Sequence, residues 1–175
     1  MTSNKKPLVL LVDDDPMMIE SVQAVIEDAA HLQGDERLSC NLLTARSGLE
    51  ALEVMNKYKR WGGLAKHRID CIILDIKMPK MDGLEFLHKW RGSESFYLVP
   101  VILLSAYEDE EKWAKATDVT KGVVAKYLQK PIEHDHELLE PLRRLLLDHQ
   151  AEDMIDETRE AGYSRRKYFR DQGDH

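Results

Sequence analysis

The 175-residue chain is 43% hydrophobic and 33% charged, with a formal net charge of −7. That size holds one domain with a full core and some length to spare, and the acidic balance argues against general attraction to nucleic acid or a membrane surface. Cys40 and Cys71, the two cysteines, lie in apolar strand-like runs without a C-x-x-C spacing, so they read as reduced core residues, not as a metal or redox site. The N-terminal MTSNKKP leads into an apolar run too short for a signal peptide or a membrane span, and a cytoplasmic location is the expectation.

Leu8 to Val12 is an uninterrupted apolar run and reads as the first strand. In the Asp13-Asp14-Asp15-Pro16 that follows, Asp15 and Pro16 suit the N-cap and first position of a helix. Met18, Ile19, Val22, Val25 and Ile26 give that helix an apolar stripe, and it is expected to end near Gly34. A second strand fits Leu38 to Thr44. Ser47 and Glu50 then stand at capping-box spacing before a helix striped with Leu49, Leu52 and Met55, which Gly62-Gly63 ends. Ile69 to Leu74 is the third strand, Gly83 to Trp90 a short helix, and Val99 to Leu104 the fourth strand. Asp109 to Thr120 reads as a mostly polar helix and Val123 to Leu128 as the fifth strand. A long last helix begins near Glu137, with Pro141 assigned to its first turn and Leu138, Leu142, Leu145 and Leu146 as its stripe. Asp148 to Glu160 is expected to prolong that helix, and Ala161-Gly162 to break it.

This is a β-α alternation repeated five times. Several strands are apolar on both faces, which implies an α/β fold with a five-stranded parallel sheet, doubly wound and covered by helices on each side. Right-handed crossovers place all five strand C-termini on one edge, and in open sheets the site lies outside those ends. There the reading gathers Asp13 and Asp14 after strand one, Asp75 after strand three, Ser105 after strand four and Lys130 after strand five. Three crowded carboxylates repel one another unless a cation neutralises them, and oxygen ligands suit a hard divalent ion such as Mg²⁺. Beside such an ion an aspartate can act as nucleophile toward phosphorus. Lys130 would neutralise a transferred phosphoryl group and Ser105 would donate a hydrogen bond to it.

LVLLVDDDP, ILDIKMPKMDG, PVILLSA and YLQKP resemble, in this order, the four signature stretches of the response regulator receiver domain, a CheY-like module of two-component signalling. The resemblance covers roughly Lys6 to Leu147. It implies the flavodoxin-like strand order 2-1-3-4-5, which the residues alone do not dictate. It also implies that Asp75 is the phosphoacceptor, served by a histidine kinase or phosphotransfer protein. Asp14 would bind Mg²⁺ directly, Asp13 through a water, and the Lys77 backbone carbonyl would add a ligand. Ser105 is similar to the switch hydroxyl, Lys130 to the family's lysine and Tyr127 to its aromatic switch, with a cis bond before Pro131. Lys77 and Tyr107, both bulky, occupy the positions that tune hydrolysis of the acyl phosphate, which implies slow to moderate decay.

The implied organisation is a receiver over residues 6–147 and a C-terminal helical extension and tail over 148–175, with no separate effector domain. Such a stand-alone receiver would catalyse only its own phosphorylation and dephosphorylation. It would signal to a downstream protein target through a phosphorylation-dependent surface. A homodimer through the fourth helix, Asp109 to Thr120, and the fifth, from near Glu137, is a further expectation from the family. The basic, aromatic stretches Lys57 to Arg68 and Tyr163 to Arg170 read as a loop extension or partner contact, and as a tail packed on the domain or a second subunit. Two alternatives stay open: a binding module of the same fold that is never phosphorylated, and a receiver cut from a longer regulator. A phosphatase-like enzyme would favour a second aspartate two residues past the nucleophile, where Lys77 stands.

Overall fold

The computed structural model describes residues 6–31, 38–60, 68–93, 98–106 and 123–172, the side chains of 30, 31, 59, 60 and 164–172 excepted. Five strands, β1 (Leu8–Val12), β2 (Asn41–Ala45), β3 (Cys71–Asp75), β4 (Val101–Ala106) and β5 (Val124–Lys130), pair in parallel in the order β2-β1-β3-β4-β5. The described helices are α1 (Pro16–His31), α2 (Gly48–Arg60), α3 (Gly83–Arg91), α4 (Asp135–Leu146) and α5 (Ala151–Gln172). The expected Asp109–Thr120 helix lies outside the described residues, as do Trp61, Tyr107 and the dimer surface that this helix was to supply.

Period-two alternation along the strands sorts the core into two layers. Leu8, Leu10, Val12, Ile72, Leu74, Val101 and Leu103 pack with Met55 of α2 and Phe86, Leu87 and Trp90 of α3. Their alternating neighbours Val9, Leu11, Cys71, Ile73, Ile102 and Leu104 pack with Val22 and Ile26 of α1 and with α4. Cys71 is therefore a core residue, as expected, and Cys40 lies partly buried against the same layer.

The helix starts follow their side-chain chemistry. Asp15 Oδ1 accepts from the Met17 N–H at 2.9 Å, and Asp82 Oδ1 from the Glu85 N–H at 2.8 Å. Ser47 Oγ accepts from the Glu50 N–H at 3.2 Å, while Glu50 reaches back to the Arg46 N–H at 2.7 Å, one residue earlier than a capping box requires.

β1 spans Leu8–Val12 as expected, but β2 to β5 run one or two residues further toward the site, so that Asp75 and Lys130 are themselves the last residues of β3 and β5. The C-terminal region departs more. α4 starts at Asp135, which puts Pro141 at the seventh helical position and not in the first turn. A proline there removes a donor to the Glu137 carbonyl and costs about 3 kcal/mol. Burial of six of the helix's twelve residues, Pro141 among them, offsets it. The extension is helical, but it does not prolong α4. His149 adopts a left-handed φ of 54°, and the Gln150 N–H turns back to the Arg144 carbonyl at 3.0 Å. This chain reversal ends one helix and starts another. Nor does Gly162 break α5, which runs through it to Gln172; Gly162 is buried, on the register shared by Met154, Ile155 and Thr158.

Candidate functional site

The sheet's carboxyl edge carries the site. The Asp13 N–H continues the ladder beyond Val12 by donating to the Ala45 carbonyl at 3.1 Å. That fixes the Asp13 side chain at the sheet's centre, where it is fully buried. Its Oδ1 accepts from the Asp15 N–H at 3.0 Å. Asp75, also buried, pairs in register with Leu104 of β4. Carboxylate oxygens of Asp13, Asp14 and Asp75 lie within 4.8 Å of one another. From the far end of β5, Lys130 Nζ donates to Asp13 Oδ2 at 2.7 Å and pairs with Asp75 Oδ1 at 3.0 Å.

One ammonium is thus shared between two buried anions, and the consequences for Asp75 and for Lys130 differ. Burial pushes the Asp75 carboxyl above its usual range; Lys130 and a backbone hydrogen bond from Lys77 oppose this, and the charge of Asp13 adds to it. At Lys130 burial is the largest single influence and acts against the charge, but Asp13 and Asp75 together outweigh it and raise the pKa. Half a cation's attraction does not offset the burial of Asp75, whereas two carboxylates do offset the burial of Lys130. The edge is therefore under-neutralised, with an oxygen-only donor set that fits a hard divalent cation.

A short loop holds Asp75 in place. The Ile76 N–H donates to the Leu104 carbonyl at 3.0 Å, and the Gly83 N–H returns to the Ile76 carbonyl at 2.9 Å. Between them Lys80 takes a left-handed φ of 70°. Gly83 lies so close to the strand end that a Cβ on it would sit 2.3 Å from the Asp75 carbonyl oxygen. This positioning role of Gly83 was not foreseen from sequence, although the Asp82-Gly83 pair after Pro79 carries the turn signal.

The remaining expected residues stand nearby but apart. Ser105 is buried on β4, and its Oγ donates to the Ala106 carbonyl at 3.0 Å. Tyr127 is half-buried on β5 and packs against the layer formed by α2 and α3. Lys77 is exposed in the loop, and the Lys130–Pro131 bond is cis. No described helix is long and apolar enough to cross a membrane.

The response regulator receiver domain family matches residues 9–143. The response regulator Rre1 of Synechocystis sp. is 34% identical over 146 residues, which are 82% of this chain and 53% of that protein. The polar-differentiation response regulator DivK of Brucella ovis is 27% identical over 127 residues, 71% of this chain and 84% of that protein. Among solved structures, the Vibrio cholerae chemotaxis protein CheY4 matches with a TM-score of 0.61 and 27% identity, over 81% of this chain and 99% of that one. The chain spans about half the length of Rre1 and a smaller share of several other curated relatives. The match takes in all five strands and the buried acidic edge together, and on that ground the chain belongs to the response regulator receiver domain family, the signalling module of two-component systems.

Proposed function

We propose that this receiver is a phosphorylatable switch, with Asp75 as its phosphoacceptor. The observation that carries the reading is the placement of Asp75 at the end of a central strand, beside two further carboxylates and against the Lys130 ammonium. An Asp75 oxygen attacks the phosphorus of a phosphohistidine on a histidine kinase or phosphotransfer protein. The P–N bond breaks and its electron pair stays on the imidazole nitrogen. Lys130 neutralises the incoming charge, and Ser105 exchanges the Ala106 carbonyl for a phosphoryl oxygen. Asp13, Asp14, Asp75 and the Lys77 carbonyl would hold Mg²⁺, which when bound supplies charge neutralisation and polarises a phosphoryl group. Withdrawal of Ser105 then leaves room for Tyr127 to turn inward and alter the β4–β5 surface.

Residues 6–147 form the receiver in this reading and 148–175 a C-terminal helical extension and tail. The output of these residues is a contact with a downstream protein, or onward phosphotransfer, in the cytoplasm. Intact-protein mass after incubation with acetyl phosphate and Mg²⁺ tests the reading. The expected result is a gain of one phosphoryl group, absent in Asp75→Ala and in the presence of EDTA. A wild-type protein that gains no mass from acetyl phosphate or from a phosphorylated phosphotransfer protein, and binds no Mg²⁺, would be a receiver-fold binding module instead.

A further inference from the structure

β5 is an edge strand, and α5 lies on it. Open edges attract foreign strands and are commonly covered, but this cover is joined to an irregular point. The β4–β5 register skips from Val101↔Val124 to Ile102↔Lys126, which leaves Ala125 as one extra residue in β5. Such a bulge leaves its residue outside the ladder. The Thr158 hydroxyl of α5 donates to the Ala125 carbonyl at 2.8 Å. Beside it Met154 and Ile155 are buried with Leu128 of β5 and with Leu138 and Leu142 of α4. Arg144 at the end of α4 closes the contact with two hydrogen bonds to Glu157, at 2.8 and 3.1 Å, and one to Gln150 at 2.8 Å.

Over residues 151–163, the part of α5 whose side chains are described, three residues of thirteen are buried. They are Met154, Ile155 and Gly162, joined by the Thr158 hydroxyl and by an ion pair whose Glu157 is 60% exposed. α4, by contrast, buries six residues in twelve. Elements with few buried contacts open at the lowest free energy. The strand beneath α5 is also the strand that carries Tyr127 and ends in Lys130. α5 is therefore docked on a β5 whose other end is pinned between Asp13 and Asp75, with Ser105 on the adjoining strand bonded to Ala106.

We infer that α5 is a releasable cover over the edge of β5, docked while Asp75 is a free carboxylate and loosened when Asp75 is phosphorylated. The inference rests on the phosphoryl-transfer reading above. New partners for Lys130 and Ser105 shift β4 and β5, and the bulge at Ala125 is where β5 yields. α5 complements the strand as it stands with Lys130 on two carboxylates, so any other placement of β5 holds it less well. Release uncovers the β5 edge and the apolar faces of Met154, Ile155 and Leu128. The linkage is reciprocal: what loosens α5 favours the phosphorylated arrangement by the same factor.

Hydrogen exchange read by mass spectrometry on the full chain tests this, with intact mass taken on the same samples. Acetyl phosphate and Mg²⁺ are expected to speed exchange over residues 151–163 about tenfold in the phosphorylated wild type and to leave Asp75→Asn unchanged. Thr158→Val is expected to speed exchange there without phosphorylation. By calorimetry that variant should bind beryllofluoride with Mg²⁺ more tightly than wild type, by the factor of its opening. Full phosphorylation with unchanged or slower exchange over 151–163 overturns the cover and leaves the phosphoacceptor reading intact. An opened Thr158→Val helix with unaltered beryllofluoride affinity overturns the linkage. Absence of any phosphoryl gain, from acetyl phosphate and from a phosphorylated phosphotransfer protein alike, sinks both readings together.

Discussion

Gly83→Ala is expected to be the most damaging glycine substitution among Gly48, Gly83 and Gly92. The added Cβ would stand 2.3 Å from the Asp75 carbonyl oxygen, 3.1 Å from Leu74 Cγ and 3.2 Å from the Asp75 carbonyl carbon. Two of these three atoms are backbone of a central strand paired on both sides, so no side chain can rotate to relieve the clash. Overpacking of this kind costs about 1–3 kcal/mol. If α3 moves away instead, the Gly83 N–H to Ile76 carbonyl bond is lost, worth about 1 kcal/mol. Alanine's better helix propensity returns less than about 1 kcal/mol at a first helical position. The net loss is about 1–3 kcal/mol. At Gly48 a Cβ meets Met81 Cγ at 2.7 Å and Sδ at 2.9 Å, and a flexible thioether can yield, although the Met81 carbonyl oxygen at 3.0 Å cannot; a loss of about 1 kcal/mol follows. At Gly92, φ is −76° and the nearest atoms are 3.6 and 3.8 Å away, so alanine is neutral or slightly stabilising. Urea unfolding followed by circular dichroism ranks the three. Because the displaced atom belongs to Asp75 itself, folded Gly83→Ala should also accept a phosphoryl group more slowly. A Gly83→Ala protein as stable as wild type, or more stable than Gly48→Ala, would refute the close approach of α3 to the strand end.

Asp75→Asn is expected to raise stability at neutral pH, on the order of 1 kcal/mol, because burial disfavours the carboxylate more than a shared Lys130 favours it. A carboxyl whose folded pKa exceeds its unfolded one binds more protons when folded, so its ionisation costs stability above the folded value. The wild type should therefore gain on the variant as pH falls through the raised pKa toward 3.8, its usual value, and the two unfolding midpoints should converge. A wider gap at acid pH would contradict this sign. The Cys40 thiol is pushed up to about 11 by burial and the wholly buried Cys71 is raised further. Neither should react with a disulfide reagent at pH 8 within minutes, and both should react once urea unfolds the chain. Fast labelling of Cys71 in the folded protein would deny its place under α1 and α4.

What the sequence by itself determined is the set of parts and their order. Apolar runs such as Leu8–Val12 and Cys71–Leu74 need cover on both faces, and that demand alone calls for a parallel sheet between helices. Asp15-Pro16, Ser47 and Asp82 carry helix starts in their own side chains, so those ends were legible or nearly so. Asp13, Asp14, Asp75 and Lys130 could be gathered because crossover handedness puts strand ends on one edge, whatever the packing. Only the tertiary structure decided that one Lys130 ammonium is shared between Asp13 and Asp75, since that depends on the reach of a side chain across 55 or more residues of sequence. It also decided where the C-terminal helices divide. No glycine or proline marks His149, and its left-handed turn is held by the docking of Met154, Ile155 and Thr158 on β5. Gly162 looked like a stop because glycine often ends helices, yet it lies buried within α5. Local chemistry marks a helix end where the cap is made by neighbouring residues. Where the end is set by a contact with a distant strand, the signal is absent until the chain is folded.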